Sequence, residues 1–181
     1  MEKWHSLDNI GPRPYKCGYC GAMSGSRSGY FRNHYNWRIY ICSNCARPTF
    51  FEGEQQNPAS LVGSPVSHIP EEIEILYNEI RKCTSFGAYN CAVLVGRKLL
   101  MNIAVKQGAE QGKTFLEYID YLASKGYIPP NGKEWVDYIR NKGSEADYEV
   151  VLMVREDASE IITFIEMLLK FIYEFPSRMR K

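Results

Sequence analysis

The fold of the first part of the chain is decided by the tetrapeptide Cys17-Gly-Tyr-Cys20 and its counterpart Cys42-Ser-Asn-Cys45, which follows after 21 intervening residues. A two-residue spacer lets both thiolates of one tight turn point at the same ion, and backbone amides of the turn can donate to the sulfurs. Two such turns supply four sulfur ligands in a tetrahedron, which leaves no open position on the metal. The spacing therefore predicts one structural zinc ion held by Cys17, Cys20, Cys42 and Cys45.

Other interpretations of the six cysteines stay open. The four paired cysteines can also be free thiols or two disulfides, although cysteines in a reducing compartment are more typical of metal ligands or buried thiols. Redox catalysis by either pair is disfavoured, because a redox CxxC opens a helix in a βαβ unit and no such pattern surrounds these residues. Gly18 and Gly21 are expected where a knuckle needs φ > 0. Cys83 and Cys91 are expected to be buried as small apolar residues.

The residues between the knuckles predict a β-hairpin. They are rich in Tyr, Phe and Trp, and they end in the strand-like run Trp37-Arg-Ile-Tyr-Ile41. A third short strand is expected near residues 49–52. We therefore predict a small β zinc ribbon over residues 1–52, with His34 on its surface rather than as an additional ligand.

Charge divides unevenly along the chain. The whole chain has a net charge of +1, whereas residues 1–50 contain seven Lys or Arg and two acidic residues, which leaves +5 there and −4 in the remainder. The ribbon cations are Arg27, Arg32, His34, Arg38 and Arg47, and they are interleaved with Tyr30, Phe31, Tyr35, Trp37 and Tyr40. Such a surface can meet phosphate and stack on bases, but a small ribbon also needs aromatics for its core. Contact with nucleic acid, contact with protein and a purely structural role all stay open. The candidate binding residues of the ribbon are Arg27, Arg32, Trp37 and Arg38.

The rest of the chain predicts a linker followed by helices. Residues 53–69 are interrupted by proline and glycine and indicate a linker. Residues 70–181 predict an all-α bundle of about five helices, near 70–83, 88–107, 114–125, 134–141 and 157–174. Gly96 is expected to permit a close helix approach, and Pro176 is expected to stop the last helix. The wide apolar arc of that helix fits either a second copy of the protein or a well-covered core helix.

No segment indicates a membrane span or a signal peptide. The N-terminus lacks an apolar run after its first charges. The most apolar helical segment, residues 88–105, is interrupted by Arg97, Lys98 and Asn102, which a bilayer centre disfavours. We therefore expect a cytoplasmic protein that does not enter a membrane.

The helical part resembles a known family over residues 70–176. The features, in order, are Arg97-Lys-Leu-Leu; Phe115-Leu-Glu-Tyr-Ile-Asp-Tyr-Leu with Gly126-Tyr-Ile; Tyr138-Ile-Arg140-Asn-Lys-Gly143-Ser144; and Glu156-Asp157-Ala158 leading to Leu168-Leu-Lys-Phe-Ile-Tyr-Glu-Phe-Pro176. Together they resemble the domain-of-unknown-function family 4145, which is placed near the HEPN helical superfamily and is often attached to restriction and other defence proteins of prokaryotes. The resemblance implies a HEPN-like bundle, a homodimer, and a larger defence-system protein as a possible partner.

The resemblance also implies where a ribonuclease site would lie. Many HEPN proteins cleave RNA with an Arg and a His brought together across a dimer. Here Arg140 and Gly143 match the pattern, Ser144 replaces an Asn, and Tyr148 stands where the His is expected. In the central helix, Met101 replaces an acidic residue often seen after the Arg.

The residues by themselves also argue against catalysis. No histidine follows His68, so the helical part has no imidazole to act as general base near neutral pH. A tyrosine such as Tyr148, with an ordinary pKa of about 10, would need a large shift to replace it. The acids Glu145, Asp147 and Glu149 can hold a divalent ion, but adjacent acids more often form a solvated surface.

The sequence thus predicts a non-catalytic zinc-containing binding or adaptor protein, which recognises nucleic acid or a partner protein in a prokaryotic defence or mobile-element setting. In that hypothesis Arg97 and Arg140 line a residual groove with Tyr148, although a structural role, such as Arg140 capping a helix end or pairing with a carboxylate, is slightly favoured for them. The alternative is a HEPN-type endoribonuclease with a degenerate site, for which Arg140 and Tyr148 are the catalytic candidates.

Overall fold

The computed structural model describes residues 6–129, 135, 137–138 and 152–179. The chain divides into two compact units, Met1–Leu61 and Val62–Lys181. The first unit is β-rich and the second is helical, as the sequence predicts. Within the described residues, no helix combines the length and the hydropathy needed to cross a bilayer.

The first unit contains short antiparallel strands. In the described residues these are β1 (Asp8–Asn9), β2 (Tyr15–Lys16), β3 (Met23–Ser24), β4 (Ser28–Arg32), β5 (Trp37–Ile41), β6 (Pro48–Glu52) and β7 (Gln55–Asn57). One sheet has the order β1-β4-β5-β6-β7, and β2 pairs with β3. The predicted hairpin between the knuckles is β4–β5, closed by a 3₁₀ turn at Asn33–Tyr35, and the predicted third strand is β6. β7 lies within the residues that the sequence assigns to the linker.

The core of this unit is small and mostly aromatic. Among the described residues it consists of Tyr15, Tyr40 and Phe51 together with the buried cysteines Cys17 and Cys42. The Tyr15 and Tyr40 rings meet the Phe51 ring edge-on, at centroid distances of 5.3 and 5.7 Å. Tyr40, an aromatic that the sequence allows as a stacking residue, is therefore a core residue with 5% of its surface exposed.

The second unit is built from helices. The described ones are α1 (Glu71–Ser85), α2 (Tyr89–Lys106), α3 (Phe115–Ser124), α4 (Arg155–Leu169), a π-helical turn (Lys170–Glu174) and α5 (Phe175–Met179). α3 begins with a capping box, in which Thr114 and Glu117 each accept a backbone N–H of the other. Residues 135, 137 and 138 are helical, and the remainder of the helix expected over 134–141 lies outside the described residues.

α2 packs in the centre of the helical core, as its apolar pattern predicts. Leu99, Ile103 and Ile165 are fully buried there. A Cβ on Gly96 would lie 2.9 Å from Cδ1 of Ile161, so the glycine permits the predicted close approach of α2 and α4. The prediction that Cys91 is buried was wrong. This residue is exposed, on the side of α2 that faces away from the helical core.

The last helix does not stop at Pro176 as predicted. The π-helical turn widens the backbone just before the proline, and the Phe175 N–H donates to the Lys170 carbonyl five residues back. Helix continues to Met179. A widened turn of this kind accommodates a residue that lacks an N–H donor, so the proline marks a change of helical pitch rather than an end.

The segment 62–67, which precedes α1, is held by charged and polar side chains of the helices. Arg81 donates to the carbonyls of Val62 and Gly63 at 2.9 and 3.0 Å, and the Tyr77 hydroxyl donates to the Ser64 carbonyl at 2.9 Å. The Ser64 N–H donates in turn to Glu166 Oε2 at 2.8 Å. Burial disfavours the charged form of Glu166, yet its contacts with Lys170 and Ser64 outweigh burial and lower its pKa.

We expect Glu166→Gln to destabilise the protein at neutral pH, since it weakens a charge-assisted hydrogen bond worth about 1.5–3 kcal/mol. The pKa of Glu166 is lowered in the folded state, so the carboxylate contributes stability above its unfolded pKa of about 4.3. That contribution to stability is lost as the pH falls through the lower pKa that Glu166 has in the folded state. Urea unfolding over a series of pH values from neutral to acid should therefore show a gap between variant and wild type that narrows as the pH falls.

Glu160→Gln is the matched control, because Glu160 is an exposed glutamate on the same helix. It should leave the free energy of unfolding nearly unchanged at both pH values. An equal effect of the two substitutions at neutral pH would contradict the role assigned to Glu166.

Candidate metal centre and aromatic face

The two knuckles have the same backbone construction. In the first, the Gly21 N–H donates to the Cys17 carbonyl at 2.9 Å, and in the second the Ala46 N–H donates to the Cys42 carbonyl at 2.9 Å. Gly21 and Ala46 both have positive φ, at 71° and 57°. The second knuckle thus repeats the first with a non-glycine residue in the left-handed position.

Gly18 is required for a reason other than the predicted one. Its φ is not positive, but a Cβ there would lie 2.5 Å from the Pro58 carbonyl oxygen and 2.4 Å from that of Ala59. Position 18 must therefore be glycine, because the backbone of residues 58–59 passes so close to the knuckle that a Cβ has no space.

The four paired cysteines converge as predicted. The sulfurs of Cys17, Cys20, Cys42 and Cys45 lie within 4.8 Å of one another. Two distances across the knuckles, from Cys17 to Cys45 and from Cys20 to Cys42, are both 3.8 Å. A tetrahedron with metal–sulfur bonds of about 2.3 Å has edges of about 3.8 Å, so the cluster has the size of a four-thiolate metal site.

The pKa values of three of the thiols, those of Cys17, Cys20 and Cys45, are shifted in different directions. Burial raises the pKa of Cys17, and burial with the neighbouring thiols raises the pKa of Cys45 to about 12. Burial also opposes ionisation of Cys20, but donors from Ala22 N–H and the Asn44 amide lower its pKa to about 6. Of these three thiols, only Cys20 therefore favours the thiolate form by itself, and a cation at the centre would stabilise the ligands as thiolates.

The sheet has a core face and an outer face. Tyr40 and Phe51 point into the core, and alternation along β5 and β6 places Trp37 and Phe50 on the opposite side. We call this side the outer face; its members in β4, β5 and β6 include Tyr30, Arg32, Trp37, Ile39, Phe50 and Glu52.

Four rings form a continuous row on the outer face. Tyr35 stacks on Trp37 with a centroid distance of 4.7 Å and an interplanar angle of 23°. His34 meets Tyr35 edge-on at 4.7 Å, and Trp37 meets Phe50 edge-on at 5.9 Å. We call these four residues the aromatic row. Tyr35 keeps 48% of its surface exposed although it is stacked, and the predicted surface position of His34 is confirmed.

The structure separates the predicted binding residues. Arg32 lies beside the aromatic row, with its guanidinium 5.1 Å from the Tyr35 centroid, whereas Arg38 is paired with Phe31 on the other face. Arg27 is exposed just before β4. In the helical unit, the Arg97 guanidinium lies 4.6 Å over the Phe115 ring.

The catalytic candidates Arg140 and Tyr148, with the acids 145–149, lie outside the residues that the structure describes.

Sequence reasoning missed two members of the outer face, Phe50 and Glu52. Both lie in β6, after the second knuckle, where the aromatic pattern of the hairpin has already ended. The available signal is alternation: once the second knuckle is recognised as the turn between β5 and β6, period two places Phe50 and Glu52 on the side of Trp37.

Comparison with known proteins identifies the second unit. Residues 78–181 match the family described as Domain of unknown function (DUF4145). The match spans more than half of the chain, and the chain belongs to this family. No curated protein and no solved structure gives a significant match.

We expect Cys20→Ser to lose the bound metal ion, because three thiolates and a hydroxyl hold a divalent cation much more weakly than four thiolates. Cys91→Ser is the matched control, since both cysteines are exposed and only Cys20 belongs to the cluster. Native mass spectrometry of both variants, purified without chelator, measures the metal content per chain. Equal metal content in the two variants would contradict the assignment of the cluster.

Proposed function

We propose that the protein is a zinc-stabilised binding protein that takes single-stranded nucleic acid on the outer face of its ribbon. Zinc is favoured over other cations because the donor set is sulfur alone and the cluster has tetrahedral dimensions. Since all four positions are filled by the protein, the ion serves to hold the fold and supplies no reactive site.

The observation that carries the proposal is the aromatic row. Rings stacked in sequence on an exposed sheet face offer the platform on which unpaired bases stack, at about 1–3 kcal/mol per base. Tyr35 lies at the turn of the hairpin, half exposed and nearly parallel to Trp37. Packing in the core explains why Tyr40 and Phe51 are aromatic. It does not explain an aromatic residue at position 35, which lies outside the core.

A cation beside the row supplies the second requirement. Arg32 lies against Tyr35, whereas Arg27 is exposed just before β4, at the end of that strand away from the row. Cationic side chains next to stacking rings can contact the phosphates that connect successive bases, and their contribution weakens as salt rises because counterions are released. Arg38 has a different position, since it shares the opposite face with Phe31.

Binding rather than cleavage is proposed because the chain has no histidine after His68. The implied homodimer, the HEPN-like relationship and a defence-system partner remain predictions. A degenerate ribonuclease built on Arg140 remains the alternative. RNA cleavage that disappears in an Arg140→Ala variant would replace the binding proposal with that alternative.

We expect Tyr35→Ala to weaken binding of a labelled single-stranded 12-mer by about fivefold or more, because one stacking ring is removed. Phe31→Ala is the matched control: Phe31 has the same exposed fraction, 48%, but lies on the opposite face. Fluorescence anisotropy at low salt gives both dissociation constants. The proposal is wrong if wild-type protein binds no single-stranded RNA or DNA at low salt, or if the two substitutions have the same effect.

Arg32→Gln should reduce the slope of log affinity against log salt by about 1, because one phosphate contact is lost. Arg38→Gln removes the same charge from the other face and should change the slope less. Titrations of both variants over a series of salt concentrations measure the slopes, and a larger change for Arg38→Gln would place the nucleic acid on the other face.

A further inference from the structure

A carboxylate is fixed within the aromatic row, where a nucleic-acid surface would ordinarily avoid negative charge. Glu52 lies directly across from Trp37 in the β5–β6 pair. The Trp37 indole N–H donates to Glu52 Oε1 at 3.2 Å, which holds the exposed carboxylate at the edge of the indole ring. Because a carboxylate repels phosphate, its place in the row favours a selective contact with a base over a general contact with the chain.

The rings beside this carboxylate have the arrangement of a clamp. Tyr35 and Trp37 are nearly parallel, 4.7 Å apart. A base inserted between them needs a separation of about 7 Å, twice the ordinary contact distance. Tyr35 is half exposed at the end of the 3₁₀ turn, whereas Trp37 is held by Glu52 and lies against Phe50. Opening the clamp therefore requires movement of the Tyr35 ring, together with the His34 ring and the Arg32 guanidinium that contact it, while Trp37 stays in place.

The chemistry of the carboxylate selects among the bases. In a single strand the Watson–Crick edge is free to be read. Guanine presents two adjacent donors on that edge, N1–H and the N2 amino group, and a carboxylate can accept both with its two oxygens. On the same edge, adenine, cytosine and uracil each place an acceptor next to the donor. The lone pair of that acceptor would face the second carboxylate oxygen and repel it. To accept both donors, the carboxylate must lie in the plane of the base, about 3.5 Å from the plane of the indole, so Glu52 exchanges its bond to the Trp37 N–H for the two guanine donors.

We propose that Tyr35, Trp37 and Glu52 form a guanine-selective subsite, in which the two rings sandwich the base and the carboxylate accepts its two donors. This inference rests on the proposed function, since it names the base that the outer face prefers.

The test compares ten-nucleotide uridine RNAs that differ at one central position, which is guanine, adenine or uracil. Fluorescence anisotropy with wild-type protein at low salt should show binding of the guanine RNA at least about fivefold tighter than that of the other two. Glu52→Gln should abolish that preference, because glutamine offers one acceptor and one donor in place of two acceptors. Its binding of the all-uridine RNA should be equal or tighter, since a negative charge is removed.

Glu54→Gln is the matched control, because it removes the same charge from an exposed glutamate two residues away that pairs with Arg13 instead of Trp37. It should keep the guanine preference. Equal wild-type affinity for all three RNAs overturns the subsite and leaves the proposed function standing. A guanine preference that survives in Glu52→Gln also overturns it. Absence of binding to every RNA overturns the proposed function itself.

Discussion

The four sulfurs that join two distant turns are the constraint on which the β unit depends. A unit of this size buries little apolar surface, and small domains of this kind ordinarily need a metal or disulfides to be stable. In the part of this unit that the structure describes, the core consists of three aromatic rings and two cysteines, Cys17 and Cys42, which themselves belong to the cluster. The cysteine cluster is therefore part of the core rather than an addition to it. Because no preformed site exists in an unfolded chain, the free energy of binding a metal ion there would contribute directly to folding.

A core this small also determines where the remaining aromatic residues lie. The neighbours Phe50 and Phe51 illustrate the division, since Phe51 has 2% of its surface exposed while Phe50 faces outward against Trp37. The rings for which the core has no room lie on the outer face, where they stack on one another. Exposed apolar surface of this kind adds little to folding, because each ring still contacts water on one side. An ordered row of exposed rings is thus better explained by a ligand than by stability.

The sequence predicted best where chemistry depends on spacing alone. The cysteine positions and the β4–β5 hairpin could be read directly, since both follow from local pattern. Predictions that depended on neighbours in space were less successful. Glycine is required at position 18 because the backbone of residues 58–59 lies against it. Pro176 is accommodated by a π-helical turn, which the local sequence does not indicate. Cys91 lies in an apolar helix whose exposed stripe emerges only once its packing partners are known. The pairing of Trp37 with Glu52 likewise requires the register of β6.

The metal centre and the outer face are connected mechanically through the β5–β6 hairpin. Cys42 follows the last residue of β5, and Cys45 lies three residues before β6 begins, so the second knuckle is the turn of the hairpin. The Cys42 N–H closes this turn by donating to the Arg47 carbonyl at 3.0 Å. The turn sets a register that places Glu52 opposite Trp37 at the far end of the strands. A slip of one residue would move Glu52 to the core face and remove the partner of the indole N–H. The cysteine cluster at one end of the hairpin and the ring–carboxylate pair at the other thus depend on the same register, so a metal ion held by the cluster would help to fix the geometry of the outer face.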